Sequence, residues 1–180
     1  MKNNKIDITK IILKCLIAGG AVVAILALPG MAPVLKMFTK KDSKYKLRNT
    51  IYNLKRTKMV KMYYKDGKEM IEITEKGKKR LLKYEFDEMK IKKPKKWDGL
   101  WRVVIFDIPE PKKYARNALS RKLKEVGFYP LQKSTFIFPY KCFEEVQFIR
   151  KYFDVEKYVS FLVAKEMEGS SILKKHFKIK

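Results

Sequence analysis

The chain has 180 residues, with 43 Lys and Arg against 19 Asp and Glu, a formal net charge of +24. A hydrophobic fraction of 46% excludes a disordered tail, because disorder goes with low hydrophobicity. It supplies core for one large domain or two small ones, and the charge calls for a polyanionic partner, either nucleic acid or an anionic membrane face.

The first 100 residues carry 26 basic and 10 acidic side chains, a net of +16, and the remainder a net of +8. Cys15 and Cys142 lie far apart, with neither a CxxC spacing nor a local disulfide pattern. This predicts a reducing, cytoplasmic compartment. The single histidine, His176, excludes a His-rich metal site and a Ser-His-Asp triad.

Residues Cys15–Leu35 contain no charge and are flanked by Lys14 and Lys36. The length suits a membrane-spanning helix, which needs about 20 apolar residues. Gly19-Gly20, Pro29-Gly30 and Pro33 interrupt the run, and its strongly apolar part is only Cys15–Leu28. Two readings therefore stand: buried helices over 7–18, 20–28 and 31–38, or a membrane anchor that would make the chain membrane-associated.

Asp42-Ser43 offers an N-cap for a helix from Lys44. Leu47, Ile51 and Leu54 fall at i, i+4 and i+7 on one apolar face. Lys46, Arg48, Asn49, Tyr52, Lys55 and Arg56 occupy the other. Alternating residues from Val60 to Ile73 around Asp66-Gly67 predict a β-hairpin. Lys65 and Lys68 stand at its tip. Thr74 then caps a helix running to Met89. Helix, hairpin and helix in this order form the second half of a winged helix-turn-helix. The uncharged N-terminal helices would supply the first half.

A helix fits the major groove of DNA. Arg and Asn on its outer face can pair with guanine or adenine edges, while Lys holds phosphates and sets the register. The nucleic-acid-binding candidates are therefore Lys46, Arg48, Asn49, Tyr52, Lys55, Arg56, Lys65 and Lys68. The plain alternative is a solvated basic face that binds nothing.

Residues 90–98, KIKKPKKWD, form a basic linker broken by Pro94. Beyond it the pattern reads as a strand ending at Phe106-Asp107-Ile108-Pro109, a helix over 111–126 stopped by Gly127, and two short strands to Tyr140. A helix over Cys142–Phe153 and a strand over Tyr158–Ala164 follow. This is the β-α-β-β-α-β order of a ferredoxin-like domain. Two helices would cover one sheet face, leaving the other to pair with a second subunit. The predicted organisation is α+β: a winged-helix domain over 1–89, the linker over 90–98, a dimerising ferredoxin-like domain over 99–168, and a basic tail over 169–180.

The string from Trp97 to Tyr140 resembles the central domain of PaaX-like (phenylacetate-repressor) regulators. The matching features are Trp97-Asp98-Gly99, Phe106-Asp107-Ile108-Pro109, Arg116, Gly127-Phe128 and Leu131-Gln132-Lys133-Ser134. The same string is similar to the small CRISPR-associated adaptation nuclease that shares the ferredoxin-like fold. The repressor family's order, a winged helix before this domain, matches the order here, although the N-terminal apolar run is more extreme.

The repressor resemblance implies a homodimeric DNA-binding transcriptional regulator that is not an enzyme and needs no cofactor. The nuclease resemblance implies a nucleic-acid-binding or integration-complex protein. In that case Asp107 would meet its mate across a two-fold axis and hold Mg²⁺ for phosphodiester cleavage. The simpler role for Asp107 is to cap the turn before the next helix.

Overall fold

The computed structural model describes residues 8–18, 23–24 and 41–179. The chain divides into two compact units, Met1–Asp87 and Glu88–Lys180. Together they make an α+β protein with six α-helices and two antiparallel sheets among the described residues.

In the first unit, helix α1 (Ile8–Ala18) carries Ile12, Leu13 and Leu16 at i, i+1 and i+4, and all three are buried. Strand β1 (Val23–Ala24) follows, then helix α2 (Lys41–Arg56), strand β2 (Val60–Lys65), strand β3 (Lys68–Ile73) and helix α3 (Glu75–Asp87). The sheet order is β1-β3-β2, with Val23 opposite Ile71 and Val60 opposite Ile73. Leu54, Val60, Ile71, Ile73 and Leu81 join the α1 residues in one core. Each fully buried aliphatic side chain contributes roughly 1.5–3 kcal/mol.

Two expectations change here. The helix expected over 20–28 is extended at 23–24, the part of it that is described. A short apolar run does not by itself distinguish strand from buried helix, and pairing with β3 decides the matter. The helix expected from Lys44 begins at Lys41, since a cap preference of about 1 kcal/mol does not outweigh one more turn. The helix expected over 31–38 lies outside the described residues.

The charge-free run is likewise described only in part. Its first residues belong to α1, an 11-residue helix with its apolar side in the core, and residues 23–24 belong to a sheet. Among the described residues no helix is long and apolar enough to cross a membrane.

The second unit runs β4 (Trp101–Phe106), α4 (Lys113–Glu125), β5 (Tyr129–Gln132), β6 (Thr135–Phe138), α5 (Phe143–Tyr152), β7 (Val159–Ala164) and α6 (Ser170–Phe177). Its sheet order is β5-β6-β4-β7, antiparallel throughout, which is the ferredoxin-like arrangement. Val104, Phe106, Phe136 and Phe138 face one side and are buried together with Leu119 and Leu123 of α4 and Val146 and Ile149 of α5.

The other face differs from expectation. It is not bare: Trp101, Val103 and Ile137 are covered by Leu173 and Phe177 of α6, with Trp97 and Tyr129 alongside. The residues expected to form a basic tail are a helix that completes the core. Leu173 and Phe177, one helical turn apart, supply its inward face.

Candidate nucleic-acid interface

Helix α2 presents two faces set by its sequence. At 100° per residue, Leu47, Ile51 and Leu54 fall within an arc of about 60°. Leu54 is buried, and the other two pack against the core partly buried. Arg48, Asn49, Tyr52, Lys55 and Arg56 fall on an opposite arc of about 120° and are all exposed. Tyr52 is 67% exposed, and Lys46 lies exposed at the flank of this arc.

The helix is closed at its C-terminal end by local bonds. Thr57 Oγ1 donates to the Asn53 carbonyl at 2.7 Å. Lys58 turns into the left-handed region at φ 58°, so that the Met59 amide donates to the Leu54 carbonyl at 2.8 Å.

The β2–β3 hairpin follows at once. Asp66 and Gly67 have φ of 52° and 73°, as a two-residue turn with both central residues left-handed requires. Lys65 pairs with Lys68 across the turn. Lys65 is exposed and Tyr64 is 77% exposed. The Lys68 side chain lies outside the described residues.

At the end of β3, Thr74 Oγ1 donates to the Lys58 carbonyl at 2.7 Å and accepts from the Gly77 amide at 3.2 Å. It therefore ties the end of α2 to the start of α3. Seven of the eight residues expected to contact nucleic acid are thus placed as exposed groups on α2 and on the hairpin beside its C-terminal end. Sequence reasoning passed over Lys76, Lys79, Arg80 and Lys83, which are exposed on α3. The density of lysine in EKGKKRLLK was the available signal. Arg80 stacks on the Tyr84 ring, 4.5 Å from its centroid.

Asp107 directly follows β4, exposed, and its amide donates to the Tyr158 carbonyl at 3.0 Å. Among the described residues no three His, Cys, Asp or Glu side chains converge to hold a metal. Glu110 is engaged by Lys113 and Arg116 at 3.0 and 2.9 Å, and these two cations hold its carboxyl below the usual range.

At the entry to the second unit, Arg102 is buried and satisfied. Its Nη1 donates to Asp98 Oδ1 and the Leu100 carbonyl, each at 2.6 Å, and to the Pro139 carbonyl at 2.8 Å. Its Nη2 meets Asp98 Oδ2. Hydrogen bonding from Arg102 pulls the Asp98 carboxyl down to about 2. Trp97 Nε1 donates to the Leu100 carbonyl at 3.0 Å, so the end of the basic linker is fastened to the sheet rather than free. Cys15 and Cys142 are both unpaired.

No curated protein matches the chain. Residues 94–175 match the family model for the PaaX protein central Cas2-like domain. The match begins at Pro94 and ends inside α6, so it takes in both the fastened linker end and the helix that closes the sheet. The second unit is therefore a Cas2-like domain of the PaaX-like family.

Proposed function

We propose that the chain is a DNA-binding transcriptional regulator of the repressor type, reading duplex DNA through its first unit. The observation that carries this reading is the outer face of α2, where Arg48, Asn49, Tyr52, Lys55 and Arg56 stand exposed on a helix whose opposite face is in the core. The helix-and-hairpin order and the β1-β3-β2 sheet support a winged helix in which α2 is the recognition helix. The family match of the second unit supports regulation as the context.

In this account α2 enters the major groove. Arg48 and Asn49 address base edges, and Lys46, Lys55 and Arg56 hold phosphates and fix the register. Lys65 and Lys68 at the hairpin tip touch the flanking backbone. The protein works as a homodimer on a two-fold site whose halves are separated by about a helical turn of DNA or a multiple of it. Its surroundings are cytoplasmic, where two unpaired thiols persist.

The test is selection of bound duplexes from a random pool. Wild type enriches a sequence with two-fold symmetry. Arg48→Ala and Asn49→Ala each relax the preference at one position per half-site while general binding persists. Enrichment of no sequence by the wild type refutes the reading.

A further inference from the structure

The two edges of the second unit's sheet differ. Strand β5 is four residues long, contains Pro130, and slips register between Pro130 and Gln132. Short length, proline and a bulge are the devices by which proteins keep an edge from pairing. Strand β7 has none of them: its six residues, VSFLVA, hold no charge and no proline, and it pairs with β4 alone.

The register identifies which backbone groups are open. Asp107 donates to the Tyr158 carbonyl, and Trp101 to Phe106 pair with Ala164 to Val159. In an antiparallel ladder the bonded positions alternate, so Ser160, Leu162 and Ala164 bond β4 while Val159, Phe161 and Val163 turn their amides and carbonyls outward. Arg150 Nη1 takes the Val159 carbonyl at 3.1 Å, as expected of an outward group. Among the described residues nothing takes those of Phe161 and Val163.

The side chains of the same two residues form one wall of an open groove of about 1120 Å³. Phe143 stands beside them, 51% exposed, its ring 5.3 Å from that of Phe161. Lys92, Lys93, Lys96 and Lys141 also line the groove. They outnumber Glu144 and Glu145 there, since Asp98 is held by Arg102.

We propose that β7 is a docking edge for an extended acidic peptide segment of a partner protein, added as a fifth strand. A peptide opposite Phe161 and Val163 would offer the alternating donors and acceptors these positions lack, and a nucleic acid backbone does not. Side chains paired directly across a sheet project to the same side. The partner's residues facing Phe161 and Val163 therefore enter the groove as apolar contacts, and carboxylates at its next positions on that same face meet the lysines. A second copy of this chain would bring a further +24 to a lysine-lined groove.

The test uses the full chain and a short capped peptide whose alternate positions on one face are two glutamates and then two valines, with threonine between them, labelled for fluorescence anisotropy. Its lysine–valine twin is the control. The glutamate peptide binds and the lysine peptide does not. Val163→Pro removes an outward amide while leaving the β4 ladder intact, and weakens binding on the order of tenfold or more. Circular dichroism confirms that this variant is folded. Lys93→Glu combined with Lys96→Glu weakens binding independently of the backbone.

Equal binding of the two peptides, or binding unaffected by Val163→Pro, overturns the proposal. Displacement of the peptide by oligo-dT that binds wild type and Val163→Pro alike makes the groove a nucleic-acid surface and also overturns it. A dimer in sedimentation that Val163→Pro disperses gives the edge to a second copy, with the same consequence.

Discussion

Arg102, buried in the first strand of the second unit, reaches back four residues to grip both carboxylate oxygens of Asp98. The pair fixes where the basic linker ends and the sheet begins. A buried guanidinium stripped of its carboxylate costs far more than the pair itself contributes. Asp98→Asn therefore destabilises the second unit, and Asp98→Ala more so.

The same pair sets an acid response. Asp98 titrates near 2 when folded, against about 3.9 when unfolded. A depressed carboxylate contributes stability that is complete above the unfolded value and disappears as pH falls through the folded one. Its share is thus lost between about pH 4 and pH 2. Followed by tryptophan fluorescence, acid unfolding of wild type is steeper across that window than that of Asp98→Asn. Parallel curves would remove the pair from the account.

Gly77 is buried where a side chain has no room. A Cβ there would stand 2.2 Å from the Met59 carbonyl oxygen and 2.7 Å from Ile73 Cγ1. In an exposed helix Gly→Ala gains up to about 1 kcal/mol. Here Gly77→Ala forces backbone apart and costs roughly 1–3 kcal/mol. Urea denaturation of the full chain gives the sign, and a stabilised variant contradicts the packing.

Much of this architecture is legible in the sequence, and the residues show why the rest is not. Asp66-Gly67 fixes the hairpin because its turn chemistry is local, and Thr74 marks the start of α3 for the same reason. Residues 23–24 read as helix because a short apolar run has no period of its own. Their strand state depends on Met70 and Ile71, far along the chain. Helix α6 reads as a tail because Lys174, Lys175, His176 and Lys178 surround Leu173 and Phe177, and because only Trp101 and its neighbours make those two inward-facing. On the interface, the α2 face follows from helical period alone, whereas the open edge of β7 follows from sheet order, which the sequence does not display.

Helix α6 yields a prediction of its own. Leu173 is buried against Trp101, Val103 and Ile137, so Leu173→Ala costs about 2–5 kcal/mol. Deleting residues 170–180 wets Trp101 and shifts tryptophan emission to the red. Unchanged emission would mean that the helix does not cover the sheet.

The thiols separate by environment. Burial pushes Cys142 up to about 12, and burial also raises Cys15, which is only partly covered. Iodoacetamide at pH 8 labels Cys15 slowly and Cys142 only after denaturation, as read by mass spectrometry. Rapid native labelling of Cys142 would show that α5 opens at its start.

Duplex binding by the first unit, as proposed, runs through many phosphates. The most direct measurement is the dependence of duplex affinity on salt, for wild type and for a variant with Lys46, Lys55, Arg56 and Lys65 all changed to alanine. Each phosphate contact contributes about 0.9 to the slope of log K against log salt. Wild type is expected to give a steep slope, and the variant one shallower by about 2–4. A flat slope, or one the four substitutions leave unchanged, contradicts this mode of binding.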